Sequence, residues 1–166
     1  MPRILCPAGS RVSGFRLRIQ PNQKNLDDTA LNGIQLACTN GMYTKQIPGV
    51  FGVWKKWVFC GGTLKNASTK FVVGFNFRSQ GGQGVKKDDT SGNNVKMQCN
   101  DGSELDGGGL DWGTWDSKTY KKCSFGYQFC GVQSRIEKNQ GNGDDTGMNQ
   151  MKFLCCRTTG DFHVFH

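Results

Sequence analysis

The sequence predicts an all-β protein whose strands fall into three sheets around a shared centre. Three observations predict it: a shortage of helix-forming residues, an internal threefold repeat, and eight dispersed cysteines. The 166 residues include 24 Gly but only four Ala (Ala8, Ala30, Ala37, Ala67) and two Glu (Glu104, Glu137). Glycine is thus about double its roughly 7% average, and the strongest helix formers are scarce. The 13 acidic residues are therefore mostly Asp, a turn-former. This balance excludes a helical bundle and a helix-rich α/β enzyme. No apolar run approaches the roughly 18 residues of a membrane-spanning helix. The length fits a single domain over 1–166, large enough to bury a real core.

The repeat organises the chain. Asp27-Asp28-Thr29, Asp88-Asp89-Thr90 and Asp144-Asp145-Thr146 are three copies of one tripeptide, and Cys38, Cys99 and Cys155 each lie eleven residues after its first Asp. Asn32, Asn93 and Asn149 each lie five after it. Upstream, Gly14, Gly74 and Gly131 are followed four residues later by Arg18, Arg78 and Arg135, and nine later by Gln23, Gln83 and Gln140. A fixed spacing held in three copies marks a repeated structural unit.

Each unit reads as two strands around a polar loop. Ile34/Leu36/Cys38, Val95/Met97/Cys99 and Met151/Phe153/Cys155 alternate with polar or mixed residues, so one face points inward. Phe15/Leu17/Ile19 and Phe75/Phe77 do the same before the loop, and Asn40-Gly41 and Asp101-Gly102 are tight-turn signals after it. A second shared segment, Phe51-Gly52-Val53-Trp54 and Trp112-Gly113-Thr114-Trp115, begins thirteen residues after Cys38 and Cys99. Cys6 precedes Gly14 by eight residues, as Cys123 precedes Gly131. The units, about 14–60, 74–123 and 131–166 closing with 1–13, are therefore expected to form a ring of three sheets.

The eight cysteines lack C-x-x-C pairs and only His163 and His166 accompany them, so disulfides in an oxidising compartment are expected rather than zinc. Asn66-Ala67-Ser68 is a glycosylation sequon, in keeping with secretion. Met1-Pro2-Arg3 precedes only Ile4-Leu5-Cys6, too short for the apolar stretch of a signal peptide, which reads as a mature or trimmed chain. The repeat narrows the disulfide map. Cys38 and Cys60 enclose one aromatic segment and Cys99 and Cys123 its counterpart, so each set is expected to pair. The same rule carries Cys155 to Cys6 and leaves Cys130 for Cys156. The net charge of +8 includes doublets at Lys55-Lys56, Lys86-Lys87 and Lys121-Lys122. These are dispersed and lack base-stacking motifs, so a solubilising surface is expected and nucleic acid is not.

The stretches G-F-R-L-R-I-Q-P-N-Q…D-D-T-A-L-N-G-I-Q-L-A-C, G-V-Q-S-R-I-E-K-N-Q-G-N-G-D-D-T and F-L-C-C, spread over about Cys6 to Cys156, closely resemble the vitelline membrane outer layer protein I family. The resemblance implies a β-prism of three Greek-key antiparallel sheets with pseudo-threefold symmetry, and a secreted protein of an extracellular coat. It also implies association with chito-oligosaccharides. The family's N-terminal strand and first tryptophan-glycine segment are not matched before Cys6, whereas Arg157 to His166 extend past the double cysteine. Either those residues stand in for the missing strand or the third sheet stays incomplete.

The repeated acids Asp27, Asp28, Asp88, Asp89, Asp144 and Asp145 are candidates for paired-carboxylate glycoside chemistry. Three equivalent copies fit better with three equivalent turns held by Asx and Thr hydrogen bonds, with Arg18, Arg78 and Arg135 pairing to them across strands. A catalytic role, a metal or a cofactor is not expected of them. Trp54 and Trp115 are expected to cap the core, while Trp57, without a counterpart in the second unit, is the exposed residue and a candidate sugar platform. A ligand cleft is expected where the repeat breaks, near Lys65 to Lys70 and the two termini. Together with Trp57, Trp54 and Trp115, Glu104 and Asp111 complete the candidate ligand set. The expected function is a secreted structural or carbohydrate-associated protein, with glycans or other coat proteins as partners. Its rivals are a chito-oligosaccharide transglycosylase or lysozyme-like enzyme, drawing on Glu104, Asp106, Asp111 or Asp116, and a carrier of a lipophilic small molecule.

Overall fold

A computed structural model describes residues 2–20, 31–48, 52–66, 69–80, 91–110, 113–136, 148–157 and 162–165. These form fourteen strands and one short 3-10 turn, Leu64–Asn66, with no α-helix among the described residues. Strand β1 (Arg3–Leu5) leads in and belongs to the third sheet. The first sheet runs β4-β3-β2-β5, built from β2 (Val12–Ile19), β3 (Leu31–Cys38), β4 (Tyr43–Pro48) and β5 (Val53–Trp54), with β6 (Val58–Phe59) also pairing β2. The second repeats this order with β7 (Val72–Gln80), β8 (Ser91–Cys99), β9 (Glu104–Asp106), β10 (Thr114–Trp115) and β11 (Lys121–Lys122) as β9-β8-β7-β10, with β11 on β7. The third runs β1-β12-β13-β14 from β12 (Tyr127–Ile136), β13 (Met148–Arg157) and β14 (Phe162–Phe165). In the first two sheets three hairpin-linked strands are followed by one that returns beside the first, which is the Greek-key connection. All pairings are antiparallel.

The repeated letters mark where each sheet is irregular. Between Val12 and Gly14, Val72 and Gly74, and Phe129 and Gly131, the first strand carries one extra residue, a β-bulge. The glycine that follows lets a third strand approach. A Cβ on Gly14 would lie 2.4 Å from the Val58 carbonyl, one on Gly74 2.8 Å from Tyr120 Cβ, and one on Gly131 2.3 Å from the Ile4 carbonyl. A second shift, between Arg18 and Ile19 and its two equivalents, leaves the extra residue on the partner strand, and that residue is Asn32, Asn93 or Asn149. Asn40-Gly41 and Asp101-Gly102 close the hairpins as expected, with Gly41 at φ 86° and Gly102 at φ 90°.

The three sheets stand in a prism-like arrangement around one cluster of buried side chains. Ile34, Leu36, Val95, Met97 and Phe153 are buried in it, and Met151 packs partly buried against it. Alternation alone placed them there. Phe75 of the second sheet stacks on Phe153 of the third at 4.0 Å between ring centroids, and Phe129 completes the group 5.0 Å from Phe75.

Strands from both ends of the chain flank the third sheet, and among the described residues nothing pairs β12 where β5 pairs β2 and β10 pairs β7. Leu5 of β1 faces Gly131 as Phe59 faces Gly14 and Lys122 faces Gly74, so β1 takes the place of β6 and β11. Strand β14 lies on β13, as β4 lies on β3 and β9 on β8. The C-terminal extension is thus an outer edge strand and no substitute for an N-terminal one.

The disulfide map corrects three of the four expected pairings. The bonds are Cys6–Cys38, Cys60–Cys99, Cys123–Cys155 and, as expected, Cys130–Cys156. Cys38 faces Val12 across one side of β2, while the Cys60 amide donates to the Ser13 carbonyl on the other side. Strands that flank a common neighbour are about 9–10 Å apart, beyond the roughly 7 Å that a disulfide spans between Cα atoms. The same holds for Cys99 and Cys123 about β7, and for Cys155 and Cys6 about β12. Each half-cystine therefore pairs with the next sheet, at Cα separations of 5.7–5.8 Å. The repeat does set the pairing, but shifted by one sheet. Cys130 sits in the bulge of β12 and reaches Cys156 on adjacent β13.

Non-reducing peptide mapping is expected to return these four links. The Cys60→Ala/Cys99→Ala pair opens a loop of sequence separation 39 and should lose about 4 kcal/mol in the chain-entropy model, read by chemical denaturation. Phe129, 2% exposed between two sheets, should cost about 3–5 kcal/mol when changed to Ala, by the same measurement.

Candidate functional site

One address on the outer face of the sheets is built with different chemistry in each. In the first sheet Arg16 occupies it, between two indoles. Its guanidinium carbon lies 4.6 Å from the Trp54 ring centroid and 5.0 Å from that of Trp57. Arg16 Nε donates to Gln35 Oε1 at 2.9 Å. Trp57 stacks in turn on Tyr43 at 4.6 Å and on Phe59 at 5.6 Å. The first sheet fills its own slot.

Strand register carries this address onto the second sheet. Arg16 faces Gln35 as Asn76 faces Lys96, and Arg18 faces Trp54 as Arg78 faces Trp115. Ala37 faces Tyr43 as Gln98 faces Glu104. Tyr120, one residue before β11, then stands where Trp57 stands before β6. Asn76 is too short to reach between the rings. Its side chain instead turns onto the backbone, with Nδ2 donating to the Ser117 carbonyl at 2.8 Å and Oδ1 accepting from the Phe77 and Ser117 amides. The vacated volume is a cleft of about 530 Å³ whose lining includes Lys96, Glu104, Trp115, Lys118, Tyr120 and Lys122.

The cleft's own groups form a chain. The Tyr120 hydroxyl donates to the Glu104 carboxylate, whose other oxygen lies 3.5 Å from Lys96 Nζ. Lys96 Nζ is 5.0 Å from the Trp115 ring centroid, and the Arg78 guanidinium carbon is 5.7 Å from it. Partial burial, then the Glu104 hydrogen bond and charge, hold the Tyr120 phenol well above the ordinary tyrosine value. Tyr120 is thus a fixed donor at neutral pH, aimed at the Glu104 carboxylate. In the third sheet the same address carries Gln133, Lys152 and, from β1, Arg3.

Trp115 and Glu104 are brought together in the cleft, and Trp54 and Trp57 on the first sheet. Against the expectation from sequence, neither Trp54 nor Trp115 caps the core. Both are half-buried on the outer face, because each faces an outward-pointing arginine and cross-strand partners share a face. Trp57 does have a counterpart in the second unit: Tyr120 precedes Cys123 by three residues, as Trp57 precedes Cys60. Asn76, Lys96 and Lys118 carry no sequence signal beyond their register, and Lys122, read as part of a solubilising doublet, lines the cleft. The cleft also lies away from 65–70 and the termini, where the ligand site was expected.

Arg18 and Arg78 donate to the carbonyls of Gly52 and Gly113 at 3.2 and 3.3 Å. Those glycines have φ of 95° and 92°, and a Cβ on either would fall 2.5 Å from a neighbouring carbonyl oxygen. The arginines therefore anchor the turns that present Trp54 and Trp115. Asp106, by contrast, accepts from Asn94 Nδ2 and the Gly108 amide and holds a loop. Asp27, Asp28, Asp88, Asp89, Asp144, Asp145 and Asp111 lie outside the described residues, as does the side chain of Arg135, whose backbone faces Gln150. Asn66 ends the 3-10 turn, and its side chain and the rest of its sequon are likewise outside them.

The family model for vitelline membrane outer layer protein I matches residues 2–158, from just before β1 to just after β13. The chain belongs to the vitelline membrane outer layer protein I family. A curated relative from Mus musculus, a vitelline membrane outer layer protein 1 homolog, is 38% identical over 92% of this chain and 74% of its own length. The Homo sapiens protein of the same name is 37% identical over 93% of this chain and 75% of its own. Within this family frame, the segments between Cys38 and Cys60 and between Cys99 and Cys123 carry Tyr43, Trp54, Trp57, Glu104, Trp115 and Tyr120.

Alkaline absorbance titration tests the Tyr120–Glu104 contact. Tyr120 should ionise above the ordinary value of about 10, and Glu104→Gln should lower its pKa without restoring it fully, since burial remains. A phenol whose folded pKa is raised adds stability that is present below the unfolded pKa and lost as pH rises through the folded one. The alkaline end of the stability profile should therefore flatten in Tyr120→Phe.

Proposed function

We propose that this chain is a secreted, structural protein of an extracellular coat or fluid, and that it holds glycan chains in the cleft of its second sheet. The observation that carries the reading is the joining of an indole face, Trp115, to fixed polar groups at one address, with Tyr120, Glu104, Asn76 and Lys96 around it. A pyranose offers an apolar face for stacking and hydroxyls at its rim for hydrogen bonds, which is this combination. All eight cysteines are bonded, which fits an oxidising compartment. The family takes its name from the outer layer of the vitelline membrane, an extracellular coat, which supports a coat role for this chain.

Holding fits the cleft better than turnover. Among its described lining residues Glu104 is the single carboxylate, and it is engaged by Tyr120 and Lys96. Glycoside hydrolysis and transfer use a carboxyl pair. The same charged lining opposes a lipophilic cargo.

Trp115→Ala should weaken binding of chitohexaose about tenfold or more, the equivalent of ~1.4 kcal/mol, with the far-UV circular dichroism unchanged. Calorimetric titration reads this directly. Equal affinity in the folded variant would sink the reading, and product formation from chitohexaose by the wild-type chain would replace it with an enzyme.

A further inference from the structure

The charges around the cleft narrow its ligand class. Resting on the glycan-binding reading above, we propose that the second-sheet cleft selects anionic saccharides, those carrying carboxylate or sulfate groups, over neutral ones. Three lysines line the cleft against one carboxylate. Glu104 meets Lys96 at 3.5 Å, while Lys118 and Lys122 take part in no ion pair among the described residues. Lys122 faces Gly74 as Phe59 faces Gly14, so it stands on the outer face where the first sheet carries the stack of Trp57 and Phe59. An apolar wall in one sheet is thus a cationic wall in the other.

The first sheet also shows what fits between the rings. There a flat, charged group, the Arg16 guanidinium, lies 4.6 and 5.0 Å from two indole centroids. In the second sheet Asn76 leaves that volume open between Trp115 and Tyr120. A sugar ring enters the space with its face on Trp115 and its acidic substituent toward Lys118 and Lys122. Charge-assisted hydrogen bonds to an ammonium are roughly twice as strong as neutral ones, and a neutral oligosaccharide leaves both lysines with water alone.

The test compares three hexasaccharides against the whole chain by calorimetry at about 0.15 M salt, where the Debye length of ~8 Å screens distant charges. The probes are chitohexaose, hyaluronan hexasaccharide (carboxylates only) and chondroitin 4-sulfate hexasaccharide. At least one anionic probe should bind about tenfold tighter than chitohexaose. A gain already present with hyaluronan assigns the carboxylate, and one that appears only with chondroitin 4-sulfate assigns the sulfate. Lys118→Gln/Lys122→Gln should abolish that preference by weakening the anionic probe far more than it weakens chitohexaose. Lys55→Gln/Lys56→Gln, an equal loss of charge at exposed positions of the first sheet, should keep it. Equal affinities for all three probes, a preference that survives in the Lys118/Lys122 variant, or one lost equally in the Lys55/Lys56 variant each overturn the proposal while leaving glycan binding standing. Binding of no probe, or binding indifferent to Trp115→Ala, overturns the glycan reading and this inference with it.

Discussion

The width of a single β-strand decides how this molecule is closed. In each sheet two half-cystines sit on opposite sides of the same strand, β2, β7 or β12, too far apart to reach each other. Their sulfurs must look outside the sheet for partners, and each finds one at the adjoining edge of the next. Three sheets that could otherwise slide or splay are joined in a cycle, with the core clamped between them. The bulges serve the same end: an extra residue followed by glycine lets the short strands β6, β11 and β1 lie close enough to bring a cysteine to the corner.

Much of the architecture was legible because it is periodic. Alternation placed Ile34, Leu36, Val95, Met97 and Phe153 inside, and fixed spacing assigned equivalent positions in three units. The disulfide partners were not legible, since they depend on which strands are neighbours in space, and the spacing of Cys38 and Cys60 says nothing of the strand between them. Trp54 and Trp115 were misplaced for a related reason. Their side of the sheet is fixed by register against Arg18 and Arg78, while large aromatic residues by composition alone read as core. Tyr120 shares no letter with Trp57, and their equivalence preserves only an aromatic ring and its position before the cysteine.

Repetition also explains how the site arises. A scaffold with one address in three sheets can keep its core constant and vary the surface residue by residue. Arg16 seals the first copy with a cation between rings, Asn76 folds back onto Ser117 and opens the second, and in the third Arg3 stands beside Gln133 where the other sheets place Trp57 and Tyr120. None of these exchanges touches the core-facing side of β2, β7 or β12, so the chemistry of the cleft varies without repacking the shared core.

The disulfide cycle also partitions the chain by its response to proteolysis. A cut anywhere from residue 6 to 38, 60 to 99 or 123 to 156 leaves both fragments covalently attached, and these intervals contain all three Asp-Asp-Thr tripeptides. No disulfide spans 39–59 or 100–122, and those are the stretches that carry Tyr43, Trp54, Trp57, Glu104, Trp115 and Tyr120. A nick in the polar loops of the repeat costs the molecule no mass, whereas a nick among the surface aromatics divides it into two pieces held only by pairing and packing. Durability in a protease-bearing fluid is therefore concentrated in the scaffold, and the aromatic face is the part of the molecule that one cleavage can set loose.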